Sequence, residues 1–240
     1  MRKTLLLISA LLAVISSVNG QSGFEVNSGF IKPFSILDKD APYTSGSSAD
    51  YNLSFYISTA YKLKASDKLF FGLNLSFNNY KLDFYEKTAI HPGLDEHIKD
   101  LAYNFNYLNL FFYPELVFGN KLKYYINAGV FGGIYLNGTK TGLLISGRAQ
   151  WGPDGPYMEY IETEVEGKAN EDIRNFTAGV QLGTGLRYQI SDYWGIHLNT
   201  SGRYLPFPFE TDFTKSQVEL IISVGAEYIF KRRDMQKPKQ

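Results

Sequence analysis

The sequence predicts an all-β fold, an eight-stranded antiparallel transmembrane β-barrel with short periplasmic turns and long extracellular loops. Three observations predict it: strand-length stretches in which apolar and polar residues alternate, connections that are long and short by turns, and an aromatic residue at the turn-side end of each strand's apolar face. Alternation with period two marks a strand whose two faces meet different environments. The longest example closes the chain. In Gln217–Phe230, Val218, Leu220, Ile222, Val224, Ala226, Tyr228 and Phe230 share one face, and Gln217, Glu219, Ser223, Gly225 and Glu227 share the other. A tilted membrane strand needs about 9–11 residues in lipid, and this stretch provides them with some to spare.

Composition supports strands over helices. The 240 residues are 44% hydrophobic and 16% aromatic, with 22 Gly, 18 Tyr and 18 Phe, a mixture rich in strand and turn formers. Residues 1–20 have a basic start (Arg2, Lys3), an apolar run from Leu5 to Val18 and small residues before Gln21, the layout of a secretory signal peptide. Its apolar core is shorter than the roughly 18 residues a spanning helix needs. The barrel is expected over residues 21–230, and residues 231–240 form a basic periplasmic tail. The absence of cysteine excludes disulfides, thiolate metal sites and a lipidated cysteine. A balanced charge without a basic stripe points away from nucleic acid. No cofactor is expected.

The strands follow in order. Gly23–Phe34 presents Phe24, Val26, Ser28 and Phe30 on one face and ends near Pro33. Tyr51–Leu63 comes next, then a short turn at Ala65–Lys68. Leu69–Phe77 alternates, and its phase flips at Asn78–Asn79, which suggests a β-bulge; Glu86–Ala102 is a polar loop. Phe105–Phe118 and Leu122–Asn137 flank a tight turn at Gly119–Lys121. Gly138–Ile173 is the longest connection, Asn175–Ile190 and Trp194–Leu205 flank a turn at Ser191–Tyr193, and Pro206–Ser216 is the last loop. Both termini and all short turns then lie on one side, as in bacterial outer-membrane barrels.

The aromatics decide which way the apolar face points. Phe24, Tyr61, Phe71, Phe118, Tyr124, Tyr188, Trp194 and Tyr228 are one per strand, all near the turns. Such a periplasmic girdle fits amphipathic rings at lipid headgroup level. Tyr51, Phe77, Phe176 and Tyr204 make a less complete upper girdle. The polar face carries Glu25, Glu115, Glu219 and Glu227 against Lys62, Lys123, Arg187 and Arg203, a matched set that suggests an interior charge network. Glu115 with Lys123, and Arg203 with Glu219, flank their connections almost symmetrically and are expected as cross-strand pairs. Arg187, His197 and Glu227 fall at similar depth on successive strands. Eight strands leave an interior that side chains can fill, so a plugged barrel is expected. Ser223–Phe230, with Gly225, Tyr228 and Phe230 at its fixed positions, matches the terminal signal by which barrel-insertion machinery recognises its clients.

Tyr107–Leu116 (YLNLFFYPEL), Lys123–Leu136 (KYYINAGVFGGIYL), and Asn175–Phe176 with Gly179, Gly183, Gly185, Leu186, Arg187 and Tyr188 resemble the PorT-like outer-membrane β-barrel family of Bacteroidetes. The resemblance lies in strand and glycine pattern over residues 21–230 and carries no catalytic motif. Pro114 stands three positions later than the family's proline, where this chain has Phe111. The resemblance implies an outer-membrane barrel and, for the family's namesake, a part in type IX secretion and gliding motility.

Few residues suggest chemistry. His91 and His97 share a loop with Asp95 and Glu96, a spacing too unspecific for a metal site, and His197 near Asn199 and Ser201 has no acidic neighbour in sequence. A hydrogen-bonded interior histidine is expected, not a catalyst. Gly142–Trp151, the turn Gly152–Pro156 and Tyr157–Val165 form a protruding hairpin with an unpaired edge, a template for strand addition. Glu162, Glu164 and Glu166 line one face of its second strand, and Trp151 and Tyr157 near the tip are candidate contact anchors. The leading expectation is a closed, non-enzymatic barrel embedded in outer-membrane lipid that binds a protein partner at this hairpin. The alternatives are a narrow passive pore and, third, a lipid-modifying enzyme dependent on His197.

Overall fold

The computed structural model describes residues 22–37, 44–91, 95–153, 155–207, 209 and 214–230; the expected signal peptide and tail lie outside them. Among the described residues ten strands are present: β1 (Ser22–Leu37), β2 (Thr44–Tyr51), β3 (Ser54–Lys64), β4 (Leu69–His91), β5 (Asp95–Gly119), β6 (Leu122–Gly152), β7 (Gly155–Lys168), β8 (Phe176–Gln189), β9 (Trp194–Leu205) and β10 (Thr214–Phe230). All pairings are antiparallel. β1 pairs with both β3 and β10, and β4 with both β3 and β5, so the path β1-β3-β4-β5-β6-β8-β9-β10 closes on itself as an eight-stranded barrel. Closure removes the free edges that lipid could not satisfy.

The short turns are built from local chemistry. Ser66 Oγ accepts from the backbone N–H of Leu69, and Lys64 Nζ stands 2.9 Å from Asp67 Oδ1, which holds that carboxyl below its usual range. Gly119 takes a φ of 95° at the start of the next turn, a conformation open mainly to glycine. Ser191 Oγ accepts from the backbone of Trp194 in the third.

Two expectations change. β4 runs through Asn78–Asn79 in unbroken register with both β3 and β5, so there is no bulge there. Asn74, Ser76 and Asn78 point inward, and so do Tyr80, Leu82 and Phe84. The hydrophobic phase inverts because the outside changes from lipid to water at that level; beyond it the sheet is apolar inside and polar outside, as in a soluble protein. The irregularity lies on the neighbouring strand, where Tyr51 faces Leu82 but Phe55 faces Asn79, leaving one extra residue around Asn52–Ser54. That bulge turns Tyr51 into the interior, so it does not join an upper girdle. Phe77, Phe176 and Tyr204 do lie on the outer face.

The second correction concerns Glu86–Ala102, expected as a loop. β4 and β5 continue as paired strands as far as His91 and Asp95, and β6 stays paired to β5 as far as Arg148. β2 adds to β4 and β7 to β6. The result is a five-stranded extracellular sheet, β2-β4-β5-β6-β7, rising from one wall of the barrel. Residues 139–152 alone, at about 3.3 Å each, extend it by about 45 Å along the strand.

The outer face records the membrane boundary. On β5 the outward residues from Phe118 to Leu108 are apolar but for Pro114's place among them, and residues 108–118 match the about 9–11 a spanning strand needs. Above them an amide row begins: Asn79 Nδ2 donates to Asn104 Oδ1 (2.7 Å) and Asn106 Oδ1 (2.9 Å), and Asn106 Nδ2 donates to Asn137 Oδ1 (2.7 Å).

Candidate functional site

Two places could carry function, the lumen and the extracellular sheet. The lumen is filled in layers. At the lowest, Lys62 Nζ lies 2.7 Å from Glu25 Oε1 and 2.6 Å from Glu115 Oε2, while Arg187 Nη2 lies 2.9 Å from Glu25 Oε1 and 2.9 Å from Glu115 Oε1. Cations and carboxylates thus alternate around a closed ring of four side chains. Glu227 joins through Arg187 Nε at 3.1 Å. The ring is walled by Tyr125, whose face lies under both Lys62 and Arg187 at 5.3 and 4.9 Å, and by Tyr113. Burial of these charges is tolerable because each faces opposite charge and hydrogen-bonding groups.

The expected pairing of Glu115 with Lys123 does not form. The register of the hairpin sets Glu115 opposite Asn127 and Lys123 opposite Gly119, so Lys123 stands at the lower rim, beside Arg187 on β8. Glu115 is completed instead by Lys62 and Arg187, on strands β3 and β8. Strand spacing near one turn cannot reveal partners that stand one strand further round the wall on either side.

His197 is buried above the ring, opposite Arg187 on β8 and Gly225 on β10, and its Nε2 meets Asn27 Oδ1. Asn27 and Asn74 both donate to Ser58 Oγ. A polar cavity of about 30 Å³, on the order of one water molecule, is lined here by Glu25, Asn74, Asn127 and His197 among others.

Arg203 and Glu219 do face one another in register, with Nη1 to Oε2 at 3.6 Å. Arg203 Nε also donates to Gln181 Oε1 at 2.5 Å, and with the Asn78 amide turned to present its oxygen, Nη1 donates to it at 2.9 Å. The guanidinium lies over the Phe131 ring at 4.9 Å.

Above this layer the lumen is closed by aromatic rings. Phe209, from the connection between β9 and β10, is 1% exposed and packs on Tyr80 and Tyr107 with centroids 4.5 and 4.6 Å apart, and on Phe105 and Tyr51 at 5.6 and 6.5 Å. Its carbonyl accepts from the backbone of Arg174, whose own carbonyl accepts from Tyr107 Oη. Ala169 and Ile173 complete the cap. Nothing in the sequence distinguishes Phe209 from the other loop aromatics; only the fold brings it over the lumen.

The lower girdle residues all lie on the outer face. Phe24 is the cross-strand neighbour of both Tyr61 and Tyr228, and Tyr228 of Trp194, with rings 5.0 Å apart. Phe118 faces Tyr124, Phe71 faces Leu63, and Tyr188 faces Leu122. Tyr228 and Phe230, expected from the sequence to belong to an insertion signal, have rings 5.1 Å apart. Gly225 is required where it stands: a Cβ there would meet Asn27 Oδ1, the Val26 carbonyl and His197 Nε2.

The hairpin forms as β6 and β7, closed by Gly152 opposite Gly155, whose φ of 114° suits glycine. Only one of its edges is open, because β5 covers the other. Tyr157 is exposed, and so are Glu162, Glu164 and Glu166, which face Ile145, Leu143 and Thr141 on β6. Trp151 lies on the strand beside the turn, and its side chain is outside the described residues. His97 Nδ1 is 3.1 Å from Ser146 Oγ, while the side chains of His91, Asp95 and Glu96 lie outside the description.

Solved structures include proteins similar to this chain. OprG of Pseudomonas aeruginosa is 11% identical with a TM-score of 0.49, over 89% of this chain and 98% of that one. Ail, the attachment invasion locus protein of Yersinia pestis, is 12% identical with a TM-score of 0.40, over 88% and 99%. The outer membrane protease OmpT from Escherichia coli is 9% identical with a TM-score of 0.32, over 89% and 98%. No curated protein matches. The family model of the outer membrane protein beta-barrel domain matches residues 17–209, most of the chain. With its closed ring of eight strands and lipid-facing outer band, the chain belongs to the outer membrane protein beta-barrel domain family and resides in the outer membrane.

Proposed function

We propose that this barrel is a closed, non-enzymatic binding or assembly component that works through its extracellular sheet. The observation that carries the reading is the five-stranded sheet standing on a filled lumen. A barrel evolved to pass solutes needs an open path, and this one spends its interior on a buried ion ring and an aromatic cap. The extracellular sheet, by contrast, ends in a strand with an open edge, and open edges add strands.

Deleting residues 142–166 tests the proposal. Thr141 and Gly167 would then meet where β6 and β7 already lie side by side, so the barrel should still insert. Crosslinking in intact cells, followed by purification from the outer membrane, should recover a protein partner with the full chain and lose it with the deletion variant. A folded deletion variant with undiminished capture would sink the reading. The resemblance to PorT-like barrels makes proteins of a secretion or gliding machinery the partners to look for. Recovery of the barrel alone would favour the narrow-pore reading, which predicts stable conductance steps altered by neutralising Arg203 or Glu219.

A further inference from the structure

Among the described residues, β7 pairs only with β6, so one row of its backbone groups is open to a further strand. Its side chains specify what that strand would look like. On the outward face Glu162, Glu164 and Glu166 follow at every second position, all exposed, and their neighbours on β6 are Ile145, Leu143 and Thr141, none of them cationic. On the opposite face Ile161, Thr163 and Val165 alternate with them.

We infer that β7 receives an extended basic segment of a protein partner, with Lys or Arg at every second position and apolar or β-branched residues between. This rests on the binding role proposed above and names its partner's chemistry. Residues directly opposite in an antiparallel pair lie on the same face, so the added strand's cations would stand against Glu162, Glu164 and Glu166 while its apolar residues cover Ile161 and Val165. Opposite charges in that position attract and like charges repel. The same rule disfavours a second copy of this chain. In a continuous antiparallel sheet of two β7 strands, registers that centre the three glutamates on one another set glutamate against glutamate, and Lys168, on the same face, meets glutamate only when the strands slide toward that end. A polysaccharide would leave the backbone row unpaired, whereas a peptide satisfies it.

The test uses the full-length barrel in lipid nanodiscs and short fluorescent peptides in which valine alternates with lysine or with glutamate. Anisotropy should show binding of the lysine peptide, weakened by salt, and none of the glutamate peptide. The triple variant E162Q/E164Q/E166Q should bind the lysine peptide at least about threefold more weakly, with its heat-modifiable gel migration unchanged as evidence of folding. Equal binding of both peptides, binding of neither, or an unchanged affinity in the triple variant would overturn the inference. So would a triple variant that keeps the peptide but self-associates, because the glutamates would then serve only to guard the edge. The two proposals fail separately: capture that needs residues 142–166 but ignores peptide charge removes only the basic segment, while capture that survives the deletion removes the binding role itself.

Discussion

Lys62 Nζ and Glu115 Oε2 stand 2.6 Å apart, although 53 residues separate them in the chain and neither strand is the other's neighbour. Both are almost fully buried, and the pair reaches across the intervening strand β4. Removing Lys62 leaves two buried carboxylates, Glu25 and Glu115, to share Arg187, and breaking a buried ion pair costs about 3–5 kcal/mol. Lys62→Met should therefore lower stability by that amount in urea unfolding from lipid vesicles. Lys123→Met, at the half-buried rim and away from Glu115, should cost under about 1 kcal/mol. A Lys123 variant as damaging as the Lys62 variant would mean that Glu115 is completed by its hairpin neighbour after all.

Phe209 is the part of the cap most open to test. It touches four rings that come from three strands, so Phe209→Ala should cost about 3 kcal/mol through loss of packing. The ion ring below does not depend on it. In planar bilayers the wild type and the Phe209 variant should both lack stable conductance steps, and steps in the wild type would return the pore reading to first place.

How much of this was legible in the sequence depends on the range of the interaction. Phe24, Tyr61 and Tyr228 signalled the outer face because alternation is a local property and the headgroup level acts on every strand alike. Arg203 and Glu219 could be paired because they flank one connection and face each other directly. Lys62 and Glu115 could not, since they sit on second-neighbour strands and meet across Gly72 of β4, which has no side chain to stand between them. The inversion at Asn78–Asn79 was visible as an inversion, but its cause was not: a bulge and a passage from lipid to water leave the same mark on one strand, and only the unbroken register separates them. The extent of β4, β5 and β6 beyond the membrane was hidden for a related reason. Polar residues such as Asp95–Lys99 suggest a loop until neighbouring strands supply their partners.

Gly225 ties the closing strand to the interior. A methyl group at this position would press on Asn27, His197 and the Val26 carbonyl at once, and overpacking of this kind costs about 1–3 kcal/mol. Gly225→Ala should reduce the folded, heat-modifiable fraction while Phe230, exposed on the outside, is untouched. Restored folding in Gly225→Ala combined with Asn27→Ala would place the fault in the lumen.

The chain contains two tryptophans, and the architecture sets them at opposite ends. Trp194 is half-exposed on the outer face within the lower aromatic girdle, beside Tyr228, where rings settle at headgroup depth. Trp151 lies on β6 next to the hairpin turn, beyond the amide row that marks the upper boundary. In vesicles, Trp151→Phe should leave emission that brominated lipid quenches and aqueous iodide hardly reaches. Trp194→Phe should leave emission indifferent to bromine in the bilayer, since β6 at residue 151 lies beyond the membrane boundary. If both variants answered to lipid, the hairpin would lie against the membrane instead of rising from it. β7 would then have its edge in the headgroups, and a strand-adding partner could not reach it.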